Sequence, residues 1–203
     1  MLRVSRSDSA YHHGNLGPAL EDAALDLMRT QGHTSLSLRE VARRAGVSHN
    51  APYHHFGDRT GLLKRVSERS MAELVSAMRA AQASAEDASP RERAVRVGGA
   101  YVGYAAEHPE RFRVVYDPEV CVPGSPTPTM APLITEIEGI LAETTAALLP
   151  PGAEAALMPL TVAVWGSVHG LAELVVAGHI TQDDVEPALV ALLDPGSSAR
   201  LAP

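Results

Sequence analysis

Between Ser48 and His55, six side chains that can donate or accept hydrogen bonds (Ser48, His49, Asn50, Tyr53, His54 and His55) crowd around Ala51 and Pro52. His54 and His55 lack the spaced cysteine or carboxylate partners of a metal site, so no metal is expected there. On a short helix, such groups can reach base edges and phosphates in a major groove about 12 Å wide. A second set, Tyr101, Tyr104, Phe112, Tyr116, Trp165 and His169, holds most of the few aromatics and falls at helical spacing. It reads either as plain core or as an apolar pocket whose tyrosine hydroxyls and His169 orient a ligand. His169 and Glu173 stand i, i+4 on one face and could hold a ligand or a divalent ion, a mutual hydrogen bond being the favoured reading. With no nucleophile elbow, phosphate-cradling glycine loop, dinucleotide fingerprint or zinc-helix motif in the chain, no enzyme and no cofactor are expected.

These groups need helices to position them. Leu16, Leu20, Ala23, Ala24, Leu27 and Met28 follow an amphipathic helical pattern that Gln31-Gly32-His33 stops. Leu38, Val41, Ala42 and Ala45 repeat the pattern on a short second helix, with Ser37 and Glu40 spaced as a capping box and Gly46 at its end. A third short helix is predicted over 48–56, capped by Ser48, with Pro52 in or just past its first turn. A long fourth helix follows from Arg59 to about Ala83. Further helices are predicted over 91–107, after Pro109, and over 130–149, 155–177 and 183–193. The proline-rich stretch 117–129 is a loop, and nothing alternates with period two over a useful length, so the fold class is all-α.

The 203 residues carry 17 Lys+Arg and 24 Asp+Glu, a net charge of −7 that argues against a polyanionic partner until it is divided. Residues 1–70 balance at +3 and hold six of the nine histidines, whereas residues 71–203 balance at −10. The single cysteine, Cys121, cannot close an internal disulfide and has no basic neighbour to activate it; it reads as an incidental thiol in a reducing cytoplasm. The most apolar stretch, 160–178, contains His169 and Glu173, so it reads as a buried helix and no membrane partner is expected.

Two short helices joined by a glycine-containing turn form a helix-turn-helix. The run from Ser37-Leu38-Arg39-Glu40 through Ala45-Gly46-Val47-Ser48, Tyr53-His54-His55-Phe56 and Arg59 to Leu63 resembles the DNA-binding domain of the TetR family of transcriptional regulators, as does Tyr11-His12-His13-Gly14-Asn15-Leu16 ahead of it. His108-Pro109-Glu110-Arg111-Phe112 and Trp165-Gly166-Ser167-Val168-His169-Gly170 resemble a C-terminal subtype with a Trp-x-x-x-His-Gly signature. The resemblance implies a homodimer that reads an inverted-repeat operator in double-stranded DNA and answers to a small apolar or amphipathic inducer, most often as a repressor. It matches Ser37 and Arg39 to phosphate-contacting positions, and Ser48, Asn50, Ala51, Pro52, Tyr53 and His54 to the recognition helix. Arg59 stands where the family usually has lysine beside phosphate. His49 and Lys64 complete the DNA-contacting set. Gly17-Pro18 departs from the family, in which a basic residue often opens the first helix.

The expected organisation is a DNA-binding head over 11–58, continued by the connecting helix to about 70, then a ligand-binding and dimerisation body over 71–195, with tails at 1–10 and 196–203. Ala163, Gly166, Ser167 and Gly170 put small residues along one side of a body helix, where another helix can approach closely. With Leu171, Leu174 and the last helix they form the expected dimer interface, packing within one subunit being the alternative. A DNA-binding module that answers to no small molecule, and an activator, remain the rival functions.

Overall fold

The computed structural model describes residues 16–194; expectations for 1–15 and for 195–203 lie outside them. The described residues fold into nine α-helices with two short 3-10 turns and no strand: α1 Leu16–Gln31, α2 Leu38–Arg44, α3 Ala51–Phe56, α4 Arg59–Ser84, α5 Pro90–Glu107, α6 Pro109–Val115, α7 Met130–Ala146, α8 Leu157–Val176 and α9 Val185–Leu193.

The first three helices enclose a small core of Leu20, Ala24, Met28, Leu38 and Val41, closed by Leu62, Leu63 and Val66 from the start of α4. Ser37 caps α2 by accepting the Glu40 N–H, but only half of the expected capping box forms. The Glu40 carboxylate instead accepts the Ser37 hydroxyl at 2.9 Å and the Gln31 amide at 3.4 Å. Gly46 ends the helix-turn-helix turn at φ +69°, a conformation glycine adopts without steric cost. Helix α3 starts later than predicted, at Ala51, because Ser48 folds a local turn: its carbonyl accepts the Ala51 N–H and its hydroxyl the Asn50 N–H.

Helix α4 is capped by Asp58, whose carboxylate accepts the Gly61 N–H at 2.8 Å. It then leaves the head and enters a second core, where Met71, Leu74, Val75 and Met78 meet Tyr101, Val102 and Ala105 of α5, Phe112 of α6, and Ile137 and Ile140 of α7. A full capping box, Ser89 with Glu92, starts α5. Gly98 admits the Leu189 side chain of α9, which an added Cβ would meet at 3.2 Å.

The buried helix expected over 160–178 is corrected. In the single chain, α8 buries only Val168 and Ala172 fully, because it packs against α5 and α7 on one side and leaves its other side exposed. The stretch Glu154–Val176 has a mean hydropathy of 1.4, long and apolar enough to cross a bilayer by length and composition. Its inner flank is occupied otherwise, since His169 bonds to Tyr101 of α5.

The tightest backbone approach in the head is at Gly61, where a Cβ would fall 2.0 Å from the Phe56 carbonyl oxygen. Gly61→Ala therefore forces α3 and α4 apart and is expected to destabilise the protein by about 1–3 kcal/mol, the usual cost of overpacking. A thermal melt indistinguishable from that of the parent chain would count against this close approach.

Candidate nucleic-acid interface and ligand cavity

The head presents one continuous polar face. Ser48, His49, Asn50, Tyr53 and His54 are exposed on α3 and the turn before it, with Arg39 exposed on α2. Tyr53 is 46% exposed, an unusual position for a large aromatic. Arg43, one turn beyond Arg39, is exposed on the same side of α2 and was missing from the sequence-derived set; the i, i+4 spacing was the signal that identifies it. His55 is also exposed but lies near Phe56 and Gly17 of α1, its ring centroid 5.9 Å from that of Phe56.

Several expected contact residues are placed differently. Pro52 is buried under the first turn of α3 and Ala51 is half-buried, so both support the helix from beneath. Ser37 is half-buried and spends its hydroxyl on Glu40. The Arg59 guanidinium does not stand free for phosphate: it donates to the carbonyls of Leu36 at 2.9 Å, His33 at 2.6 Å and Thr34 at 3.1 Å. It thereby ties the α1–α2 loop to the start of α4. Lys64 faces the body loop, in a small cleft shared with Glu68, Val120 and Thr127. The sequence could not give the directions of Arg59 and Lys64, because they depend on how α4 is rotated about its axis.

In the body, α4, α7, α8 and the segment after α6 surround a cavity of about 810 Å³, within the range of small-molecule sites. Of the six aromatic and histidine residues expected to line it, Tyr116 and Trp165 do so. Tyr101, Tyr104 and Phe112 do not: they are 1%, 7% and 0% exposed and belong to the core. The Tyr104 hydroxyl donates to the Ser70 carbonyl at 2.9 Å. Tyr101 forms the layer behind the wall, its hydroxyl 2.7 Å from that of Tyr116 and 2.8 Å from His169 Nδ1. Burial raises the pKa of both tyrosines, so they stay protonated. His169 packs within 4.7 Å, ring to ring, of Tyr116, and burial holds its imidazole below the usual histidine range against the pull of Glu173. Glu173 is 3.9 Å from His169 Nε2, too far for the expected hydrogen bond. Among the described residues no group of three potential ligands could hold a metal ion. Sequence reasoning missed most of the cavity wall, including Met71, Ile134, Leu141, Leu157 and Met158, since these apolar residues read as ordinary core.

The segment 114–121 faces two ways. Val114 and Val120 insert into the head core, while Val115, Tyr116, Pro118 and Cys121 line the cavity. Two polar ties flank the inserted valines: Arg29 of α1 to the buried Glu110 at 3.1 Å, and His33 of the α1–α2 loop to Asp117. Burial opposes ionisation of Asp117, yet the hydrogen bonds from His33 and from the Glu119 N–H keep its carboxyl below the usual range. For Cys121 the effects of burial and of Glu68 both raise the thiol pKa, consistent with an unreactive side chain. On the outer side of α8, Ala163 and Gly166 are exposed, Leu174 is 41% exposed, and Ser167 and Gly170 are half-buried. Nothing lies within 4 Å of a Cβ added at Gly166 or Gly170. Leu171 turns inward and packs on the body core of its own chain.

Comparison with known proteins gives two family matches: residues 20–66 match the bacterial regulatory proteins of the tetR family, and residues 94–194 match the tetracyclin repressor-like C-terminal domain. The HTH-type transcriptional regulator BetI of Rhizobium meliloti (strain 1021) is 39% identical over 79 residues, a match that spans 37% of this chain and 36% of that regulator. A solved structure of a protein with unknown function from Rhodococcus sp. RHA1 is 30% identical, with a TM-score of 0.73 over 92% of this chain and 97% of that one. The transcriptional regulator FadR from Bacillus subtilis, solved in complex with stearoyl-CoA, shares the fold at 15% identity, with a TM-score of 0.67 over 88% of this chain and 98% of that one.

The lowered pKa of His169 has a signed consequence. Its neutral packing is fully present above the unfolded imidazole pKa of ~6.5, and the stability it carries is lost as pH falls below that value until the folded imidazole itself protonates. His169→Gln is expected to flatten the loss of stability below about pH 6.5 in urea denaturation at stepped pH. An unaltered slope would assign that acid sensitivity to other groups.

Proposed function

The chain belongs to the TetR family of bacterial regulatory proteins, and on that premise we propose that it binds an inverted-repeat operator as a homodimer and is released by a small molecule held in the body cavity. A DNA-binding transcriptional regulator is what the two family matches together describe. The observation that carries the ligand-responsive reading is the double-faced segment 114–121, which shares side chains between the cavity wall and the head core. A ligand that displaces Tyr116 or Val115 acts on the same backbone that holds Val114 and Val120 in the head. Repression relieved by the ligand follows, because a shift in head spacing breaks the match to two successive major grooves about 34–36 Å apart.

Dimerisation is supported by the exposed apolar surface of α8 and α9, where Leu174, Val190 and Leu192 are each more than 40% exposed. The small residues Ala163, Gly166 and Gly170 leave room there for a partner helix. Trp165 on the cavity wall and His169 behind it occupy the signature positions of the Trp-x-x-x-His-Gly subtype, which this reading includes. Contact with DNA falls to Arg39, Arg43, Ser48, His49, Asn50, Tyr53 and His54. Arg59 contributes by holding the α1–α2 loop, and could reach phosphate only by exchanging its carbonyl partners. With a modest head charge of +3, placement of neutral donors counts for more than bulk charge.

A gel shift on the DNA upstream of its own gene tests this reading, and no binding to any palindrome at low salt would sink it. Tyr53→Phe is expected to weaken binding to all sequences alike, by about 1 kcal/mol for one lost hydrogen bond. Asn50→Ala should instead relax sequence preference, costing about 1–3 kcal/mol on the cognate site alone. Equal losses on cognate and random DNA would remove Asn50 from the base-reading set.

A further inference from the structure

We propose that Tyr116 is the ligand-orienting donor of the body cavity: its hydroxyl gives a hydrogen bond to an acceptor oxygen of the ligand, such as a ketone, ester or amide carbonyl, and Tyr101 and His169 are the positioning residues that fix this direction. The role rests on the reading of the cavity as a ligand pocket and adds the group by which a ligand is recognised. Three side chains form a hydrogen-bonded row from α8 to the cavity wall. The Tyr101 hydroxyl, on a side chain 1% exposed, donates to the Tyr116 oxygen at 2.7 Å and lies 2.8 Å from His169 Nδ1. A phenol has one proton to give. Tyr101 spends its proton on Tyr116, so the contact with His169 is made by the imidazole N–H, and the neutral ring carries its proton on Nδ1. In the reverse order the proton would sit on Nε2, whose nearby carboxylate, Glu173, is 3.9 Å away and beyond hydrogen-bond reach.

Each hydroxyl of the row therefore receives a hydrogen bond from the side of His169 and passes its own proton on. Tyr116 is the last member, it lines the cavity, and among the described residues no group accepts its proton. The Trp165 indole N–H also acts on both phenol oxygens as a donor, a further reason for the Tyr116 proton to point away from them. The rest of the wall offers little competition. Thr161, the other hydroxyl there, donates to the Leu157 carbonyl of its own helix at 2.8 Å, the Glu138 and Glu154 carboxylates are acceptors, and most of the remaining side chains are apolar. A ligand oxygen that leaves water for this wall regains a hydrogen bond at Tyr116, so one hydroxyl governs both the orientation and the preference of the site.

Benzophenone, diphenylmethane and diphenylamine share a frame of two phenyl rings and place between them an acceptor oxygen, a methylene and an N–H donor. In calorimetric titration of the full-length protein, benzophenone is expected to bind about 5-fold tighter than diphenylmethane, the equivalent of about 1 kcal/mol, and diphenylamine no tighter than diphenylmethane. Tyr116→Phe should erase the ketone preference and leave the diphenylmethane affinity unchanged, with a melting curve to check the fold. The carbonyl stretch of bound benzophenone should lie lower in frequency in the parent protein than in Tyr116→Phe. Tyr101→Phe frees the Tyr116 oxygen to accept, and should let diphenylamine bind tighter than diphenylmethane. Without any ligand, imidazole nitrogen NMR at about pH 8, with His169→Gln to assign the signals, should find the His169 proton on Nδ1. Equal binding of ketone and methylene, a ketone preference that survives Tyr116→Phe, or an amine preferred by the parent protein overturns the donor role and leaves the ligand pocket standing. A proton on Nε2, or an amine still disfavoured in Tyr101→Phe, overturns the positioning role of Tyr101 and His169. If no probe binds and none releases operator DNA, the pocket reading falls and the donor role with it.

Discussion

Helix α4 passes through both hydrophobic cores, and the rest of the structure depends on that sharing. Its first turns give Leu62, Leu63 and Val66 to the head, and its middle gives Met71, Leu74, Val75 and Met78 to the body. At roughly 1.5–3 kcal/mol for each fully buried apolar side chain, these seven contribute roughly 10–20 kcal/mol before entropy is counted. That is comparable to the whole net stability of a domain, so neither core can lose the helix and survive. With 26 residues it is a rod of about 39 Å that joins the two cores.

The second connection is short and lies next to the cavity. Val114 and Val120 are 0% and 5% exposed in the head core although they belong to the body side of the chain. The ion pairs around them are a different kind of tie. Arg29 is half exposed but its partner Glu110 is buried, and His33 with Asp117 is mostly buried, so these polar ties fix register as well as satisfying groups taken out of water. The insertion of apolar side chains holds the junction, and the polar pairs choose which turn of α6 faces which loop. The junction thus holds one arrangement of the head on a segment whose other face lines the cavity.

Much of this was legible before the fold was known. The helix-turn-helix, with Ser37 as cap, Gly46 at the turn and exposed polar groups from Ser48 to His54, follows from spacing that spans at most four residues. Where the structure places expected site residues elsewhere, the placements share a cause. Pro52 was assigned to the DNA face because it sits in the motif, yet the proline ring fills space beneath α3. Arg59 and Lys64 were assigned to phosphate by position, whereas the rotation of α4 turns one onto backbone carbonyls and the other toward Glu68 and Val120. Tyr101, Tyr104 and Phe112 share the helical spacing of a pocket set but lie one layer too deep.

The sequence alone determined the order of the helices, the glycine turn at Gly46, the polar face of the head and the division of charge between head and body. These are properties of neighbouring residues, and the backbone geometry that links i to i+3 and i+4 is the same in any fold. Only the tertiary structure decided which aromatic side chains meet the cavity, that one side of α8 stays exposed with its small residues uncovered, and that one segment serves both the head and the cavity. Tyr101 reaches His169 across 68 residues, and Arg29 reaches Glu110 across 81. Contacts at such separations are set by how whole helices pack, which no local pattern encodes.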